Sequence, residues 1–473
     1  MQLKQLEPSE TLQSREDQFN KRQHVNVYSA AVIFFITLSS AAYGYAGSVI
    51  ATTLTQPSFI THMELDTATN AESIEGAMNA LFYTGGVFGS FFAGWSSKKF
   101  GRKFSTGFGN ALLVISGACM TASINPTMFI AFRFVSGFGS QWRGPIALQM
   151  ALPVIILSGL YWMPESPRYL LSTDRHEEAR DIIFRMHSSP LDPEHEFARR
   201  EFFQMKKQIL LDAGFATSYW SLLKKSSMRK RLAMTVFLEF VLMSSGILVI
   251  LNYGSIIWKS LGFDTVQILN FQCGFQLAGF VFNVIAMTFV DRVRRPWLIA
   301  GGLLGCGALV GILTALQSFY LGTENRAGLG ACVAVIFLFQ ATFSLTLDGP
   351  TYFYIAEIWP SHVRSQGFAI AMAVLSATNL MWLQATPYAI STISWRWYLV
   401  FTCIPGTAAV LVIIWFKDTR NKPLEEIAGM FGDDDMVAVY QRELNNGGLY
   451  DADEVGNYSK NSNGLSVEMM EEA

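Results

Sequence analysis

Long apolar runs separated by short polar breaks organise this chain. They fall at about 27–50, 76–95, 106–124, 128–162, 232–254, 267–290, 297–317, 328–347, 366–390 and 397–416. A helix needs roughly 20 apolar residues to cross a bilayer, so the pattern predicts about ten crossings. Gly and other small residues interrupt the runs, as close helix packing in lipid favours. The run at 128–162 is too long for one straight helix and too short for three, and reads as one tilted or broken crossing.

The breaks carry a second pattern. A basic turn follows the second run, GWSSKKFGRK at Gly94 to Lys103, and another follows the second run of the C-terminal half, FVDRVRRP at Phe289 to Pro296. Internal repeats of this kind are the usual build of helical secondary transporters. Lys and Arg also crowd the 164–231 segment and the turn at His362 to Arg364, whereas the 55–72 loop has neither. The positive-inside rule then puts the basic loops and both termini in the cytoplasm.

This divides the chain into a cytoplasmic tail (1–26), an N-terminal transmembrane bundle (27–163), a cytoplasmic segment with short amphipathic helices (164–231), a C-terminal bundle (232–417) and a cytoplasmic tail (418–473). The first residues are polar and lack the plan of a cleaved signal peptide. Beyond Gly432 the chain is acidic and rich in Asn and Gly, which predicts disorder. The sequon at Asn457-Tyr458-Ser459 is expected to be inert on the cytoplasmic side.

Composition narrows the function class. Apolar residues make up 51% of the chain and aromatic ones 14%, unlike a soluble protein of this length. A net charge of −2 gives no electrostatic footprint for nucleic acid. Cys119, Cys273, Cys306, Cys332 and Cys403 all fall in apolar runs without paired short spacing, and read as packed small residues rather than disulfides or metal ligands. No nucleophile and base, metal cluster or phosphate loop appears, so neither an enzyme nor a cofactor is expected.

Several separated motifs then carry a resemblance: GWSSKKFGRK, RFVSGFG at Arg133 to Gly139, PESPRYLL at Pro164 to Leu171, DRVRRP at Asp291 to Pro296, GPTYFYIAEIWPSHVRSQG at Gly349 to Gly367, and DTRNKPLEEI at Asp418 to Ile427. In that order they resemble the sugar porters of the major facilitator superfamily, and within it the fungal sugar transporters. The resemblance implies an all-α polytopic membrane protein of two bundles, acting as a monomer in the plasma membrane, with a hexose or disaccharide and membrane lipid as its partners. It also implies an inter-helix charge network that holds the cytoplasmic side closed, drawn from Arg102, Arg133, Glu165, Arg168, Asp291, Arg292, Arg294, Glu357 and Arg364. The alternative for the exposed cations is anchoring to anionic headgroups.

Three departures from the family pattern matter. RFVSGFG runs straight into SQWRGPIALQ, so the stretch the family places between Gly139 and Ser140 is missing, including its fifth helix. Loss of a pair of crossings keeps every later loop on its usual side, but leaves Ser140, Gln141, Trp142 and Arg143 within a membrane-depth segment. Next, the first helix reads Gly44-Tyr45-Ala46 where proton-coupled members carry an Asp, and Lys98 stands where the first basic turn usually has an Asp. Proton coupling through the usual site is therefore unsupported. Finally, Leu242, Met243 and Leu248 replace the sugar-binding Gln and Asn residues of the seventh helix.

Any ligand must then be held by other polar residues. Asp348, directly before Gly349-Pro350, is an intramembrane carboxylate and so a candidate by default, or else a structural acceptor for helix ends. Asn252, Tyr253, Gln272, Gln276, Asn379, Trp382, Gln384 and, on the surviving sixth helix, Gln149 complete the set, with Trp382 offering an apolar face to a sugar ring. Each of them is equally compatible with interhelical packing. The expected function is sugar transport by alternating access, impaired by the missing segment. The rivals are a non-transporting sugar sensor, against which the short tail argues, and an inactive truncated isoform.

Overall fold

The computed structural model describes residues 26–53, 57–65, 71–137, 145–187, 195, 198–199, 201–203, 205–206, 209, 219–320, 323, 325–420, 422 and 424–433. The junction residues Ser140 to Arg143, the side chains of Ala46 and Gln149, most of the N-terminal tail and the tail beyond Asp433 lie outside the described residues. The described residues fall into two compact units, 26–38 with those between 162 and 209, and those between 39 and 161 with those between 219 and 433.

Within the larger unit the apolar runs become helices. The N-terminal half supplies the end of α1 (Val27–Thr53), the short α2 (Pro57–His62), α3 (Ala71–Lys99), α4 (Arg102–Thr121), α5 (Pro126–Gly137) and α6 (Pro145–Gly159). The run at 128–162, read as one tilted or broken crossing, contains α5 from residue 128 onward and the whole of α6, with residues 138–144 outside the described residues. The former packs on α3 and α4, and the latter on α4. Gly101, at φ 93°, makes the tight reversal between α3 and α4 inside the first basic turn, a conformation that favours glycine.

The C-terminal half contains α9 (Tyr219–Lys224), α10 (Ser226–Met243), α11 (Ile247–Ser260), α12 (Thr265–Phe289), α13 (Arg295–Tyr320), α14 (Arg326–Phe343), α15 (Gly349–Ile358), α16 (Arg364–Ile393), α17 (Val400–Trp415) and a terminal α18 (Leu424–Phe431). Among the described residues, five stretches, all in this half, are long and apolar enough to span a membrane, from Ser226–Gly254 to a 52-residue stretch, Arg364–Trp415, that holds both α16 and α17. Two of these crossings are interrupted. Gly246, at φ 93°, separates α10 from α11, and a π-helical turn, Ser344–Asp348, joins α14 to α15. Such breaks survive in membranes where protein or an internal cavity re-satisfies the backbone, and π turns often mark functional positions.

The two halves meet mainly along α3 and α16. Small residues set this approach: a Cβ on Gly76 would lie 3.3 Å from Gln384 Nε2, and one on Gly94 3.1 Å from Ala369 Cβ. Without a hydrophobic drive between helices in lipid, such close packing is what binds them. The main apolar core belongs to the C-terminal half, with Phe82, Tyr83 and Leu113 as its N-terminal contributors; a small separate cluster joins Phe59, Met63, Leu65, Met78, Met120 and Phe129. Among the described residues, the N-terminal half therefore has much less interior of its own.

The smaller unit contains α7 (Pro167–Ser172) and α8 (His176–His187), short helices in the segment predicted to be amphipathic. Leu170, Leu171, Ala179 and Ile183 form their core with Ala198 and Phe202. The start of the first crossing joins this unit through Ser29 Oγ, which donates to the Met186 carbonyl at 2.6 Å, and Tyr28, whose ring lies 4.3 Å from the Arg185 guanidinium.

Candidate functional site

The predicted polar residues of the C-terminal half separate into a buried layer, a carboxylate beside the π turn, and exposed positions. The buried layer centres on Tyr253 of α11, whose hydroxyl donates to the Leu383 carbonyl of α16 at 2.8 Å and accepts from Asn79 Nδ2 of α3 at 3.3 Å. This single side chain bonds both halves. Its neighbour Asn252 donates to the Leu248 carbonyl of its own helix at 3.0 Å. Gln272 reaches from α12 to the Leu251 carbonyl at 3.1 Å, so it holds α12 against α11.

Trp382 is nearly buried. Its indole N–H donates to Ser244 Oγ at 3.0 Å, and its ring packs edge-on to Trp397 and Phe401. The face expected to meet a sugar ring is thus occupied by aromatic neighbours. Asn379, one turn earlier on α16, is buried with its Oδ1 lacking a hydrogen bond among the described residues. Gln276 and Gln384 are exposed, and Gln384 lies against Gly76. Asp348 ends the π turn and accepts from Asn283 Nδ2 of α12 at 2.6 Å.

The expected charge network forms in part, around a residue absent from the predicted set. Arg295 opens α13 almost buried, and its Nη2 donates to Glu357 Oε1 at 3.0 Å and Asp291 Oδ1 at 2.9 Å. Glu357 also accepts from Thr419 Oγ1 at 2.6 Å, and Asp418 accepts from the Arg295 backbone N–H at 3.3 Å. Asp291 and Glu357 are therefore gathered by one guanidinium, whose planar fork suits several carboxylates at once, while Asp418 is held by the backbone of the same residue.

Other members stand elsewhere. Arg364 donates from Nε to the Trp359 carbonyl at 3.1 Å, closing the turn before α16 instead of meeting Glu357. Arg294 is exposed and only 4.0 Å from Asp418, while Arg292 contributes its carbonyl, which accepts from Arg420 at 2.7 Å. Arg133 is buried in the N-terminal half, where it donates to the Met78 carbonyl at 2.9 Å and stacks 5.0 Å from the Phe82 ring. Arg102 is exposed. Glu165 and Arg168 belong to the smaller unit, where Glu165 accepts from the Ser166 backbone N–H at 2.9 Å.

A second buried charge site lies at the end of α18. Asp433 accepts from Ser227 Oγ and Arg231 Nη1 and lies 3.1 Å from Lys225 Nζ. Burial pushes its carboxyl up, but the Ser227 bond and the Arg231 and Lys225 cations outweigh this and hold it below the usual range. The sequence carried a signal for Asn79, Asn283 and Glu239, each a polar residue inside an apolar run. It carried none for Arg295 over its basic neighbours, because only packing decides which guanidinium of the turn points inward.

The model of a family described as "Sugar (and other) transporter" matches residues 32–140 and 139–431. The chain belongs to this family. Its two matched stretches meet where the sequence departs from the family pattern. The MFS-type transporter criB of Aspergillus cristatus is 25% identical over 451 residues, covering 84% of this chain and 92% of that protein. The high-affinity glucose transporter of Kluyveromyces lactis is 24% identical over 86% of each chain. Among solved structures, the proton:xylose symporter XylE bound to 6-bromo-6-deoxy-D-glucose superposes with a TM-score of 0.72 at 20% identity, over 86% of this chain and all of that one. At that identity the likeness shows the fold. The chain is thus a multi-pass membrane protein of the sugar porter group, with the major facilitator fold.

Proposed function

We propose that this chain carries a hexose or disaccharide across the plasma membrane as a monomer, by alternating access between its two halves, and that a missing segment at Gly139 and Ser140 weakens that transport. The observation that carries the reading is the Tyr253 contact. One hydroxyl bonds α3 of the first half and α16 of the second while sitting on α11, just beyond the Gly246 break. A side chain that bridges both halves from a discontinuous helix is built to be made and broken as the halves rock. Asn252 and Asn379 of the buried layer, and Asp348 beside the π turn, offer donors and acceptors to sugar hydroxyls.

The sugar-transporter relatives and the meeting of the two family matches at residues 139–140 support the substrate class and the deletion. The decisive experiment reconstitutes this chain, and a version with the family's missing segment restored, into liposomes and follows radiolabelled D-glucose. Saturable uptake that is weak in the chain as it stands and stronger in the restored version is expected. Uptake by neither version above protein-free liposomes would overturn the transport reading; equal uptake by both would overturn the role given to the deletion.

A further inference from the structure

Glu239 lies in the middle of the apolar run 232–254, on α10, where it is wholly buried. Neither carboxylate oxygen has a hydrogen-bond partner among the described residues. A buried, unpartnered carboxylate is strongly disfavoured in its ionised form, and an ionisable group within a membrane span marks function by default.

Its setting gives that function a direction. Ser227, Arg231, Thr235 and Glu239 recur every fourth residue and so share one face of α10. Ser227 and Arg231 grip Asp433, and Thr235 accepts from the Trp359 indole at 3.0 Å. Glu239 is the member of the four left with nothing. On its other side Ser244 accepts from Trp382 at 3.0 Å, so tryptophans of two neighbouring segments fix α10 above and below it. Two turns beyond Glu239, the left-handed Gly246 hinges α10 to α11, and α11 carries the Tyr253 contact with Asn79. Breaking that contact works on the same hinge.

We propose that Glu239 is a proton-binding site of this transporter: it takes a proton from water when one side opens, holds it while buried, and returns it to water on the other side. It would do what Ala46 cannot. The proton comes from bulk water and goes back to it, and no other reactant is consumed. The coupled role rests on the transport reading, whereas proton binding does not.

The titratable groups on α10 and on the elements packed against it lie on six neighbouring helices as well as its own basic end. Its own basic end carries Arg229, Lys230 and Arg231; α9 has Tyr219 and Lys224; α15 has Tyr352, Tyr354 and Glu357, the last held by Arg295. The continuing α11 has Tyr253 and Lys259, α16 has Arg364 and Tyr388, and α17 has Cys403. Glu425, Glu426 and Asp433 complete the set at α18.

The test is infrared spectroscopy of the purified chain in lipid nanodiscs at neutral pH. The carbonyl band of a protonated carboxylic acid should be present, shift when glutamate is isotope-labelled, disappear in E239Q and return in E239D. D348N should leave that component in place. A spectrum of E239Q that overlays the unaltered chain would overturn the proposal, as would a band that does not move on glutamate labelling, a reading that needs no variant. In proteoliposomes with D-glucose as the probe, one-to-one coupling should accumulate sugar toward about tenfold for each unit of imposed pH gradient. E239Q should show no accumulation. Accumulation by E239Q equal to that of the unaltered chain would overturn the coupled role. A chain that takes up no glucose removes that role together with the transport reading, and the infrared result still decides whether Glu239 binds a proton.

Discussion

Replacing Asp433 by Asn should release the C-terminal helix α18 from the membrane-spanning unit. Gly432, at φ 80°, turns the chain back so that the Asp433 backbone N–H reaches the Ala428 carbonyl at 3.0 Å. That left-handed closure aims the carboxylate at the start of α10, where Ser227, Arg231 and Lys225 receive it, and sets the Phe431 ring 4.5 Å from the Arg231 guanidinium. The Arg231 and Asp433 side chains are 1% and 0% exposed. Removing one member of a buried pair costs about 3–5 kcal/mol, mostly because the other charge is stranded. Asn still offers hydrogen bonds, so the lower end, about 3 kcal/mol, applies. At about 1.4 kcal/mol per tenfold, opening of α18 should become at least a hundredfold easier.

Amide hydrogen exchange across residues 424–433, measured in nanodiscs, reads that opening directly. R231M should accelerate exchange similarly, and R231M/D433L together should be no worse than either alone, because apolar groups can replace a whole buried pair at little cost. The acid response has a definite sign. The Asp433 carboxyl is held below its ordinary value, so its stabilising contribution is present above the usual range near pH ~4 and is lost as pH falls through the depressed value. Protection should therefore persist in mild acid. Unchanged exchange in D433N at neutral pH, or a double variant more disrupted than the singles, would refute the reasoning.

Three further outcomes are expected. Reversing Arg295 or Glu357 alone should lower uptake by about tenfold, more than it lowers surface expression. Swapping them should restore only part, since Arg295 also serves Asp291 and the Val290 carbonyl; equal loss of uptake and expression in every variant would favour a purely structural role. His362 is pushed down to about 4 by burial, aided by Arg231 and Lys225 and opposed by Asp433. The folded protein therefore resists the proton that the unfolded chain accepts near pH ~6.5, and stability should fall as pH drops from that range toward 4; a melting-temperature profile of H362Q no flatter than that of the unaltered chain would contradict this. Limited proteolysis should cut near residues 140–145 before any transmembrane site of the C-terminal half, because among the described residues the N-terminal half has little core of its own; a first cut in the C-terminal half would show that the missing segment leaves the N-terminal bundle sound.

The sequence alone determined the multi-pass helical membrane protein and its family, because the requirement to satisfy every backbone group in lipid makes apolar run length nearly equivalent to helix. It also placed a tight turn at Gly101 in the first basic loop, since so few residues tolerate a left-handed backbone, whereas the equally left-handed Gly246 interrupts a run that reads as continuous. Tertiary structure decided which polar side chains meet. Tyr253 became the bridge between the halves because α11 restarts after Gly246 beside both α3 and α16, and Trp382 became a packing residue because Ser244, Trp397 and Phe401 reach it first. Arg295 rather than Arg294 gathers the carboxylates because it opens α13 on the face turned to α15. Helical period says which residues share a face, but which face is covered, and by what, depends on neighbours brought from far along the chain. For that reason Asp433 found Arg231, and Glu239 one turn beyond Thr235 found no partner at all among the described residues.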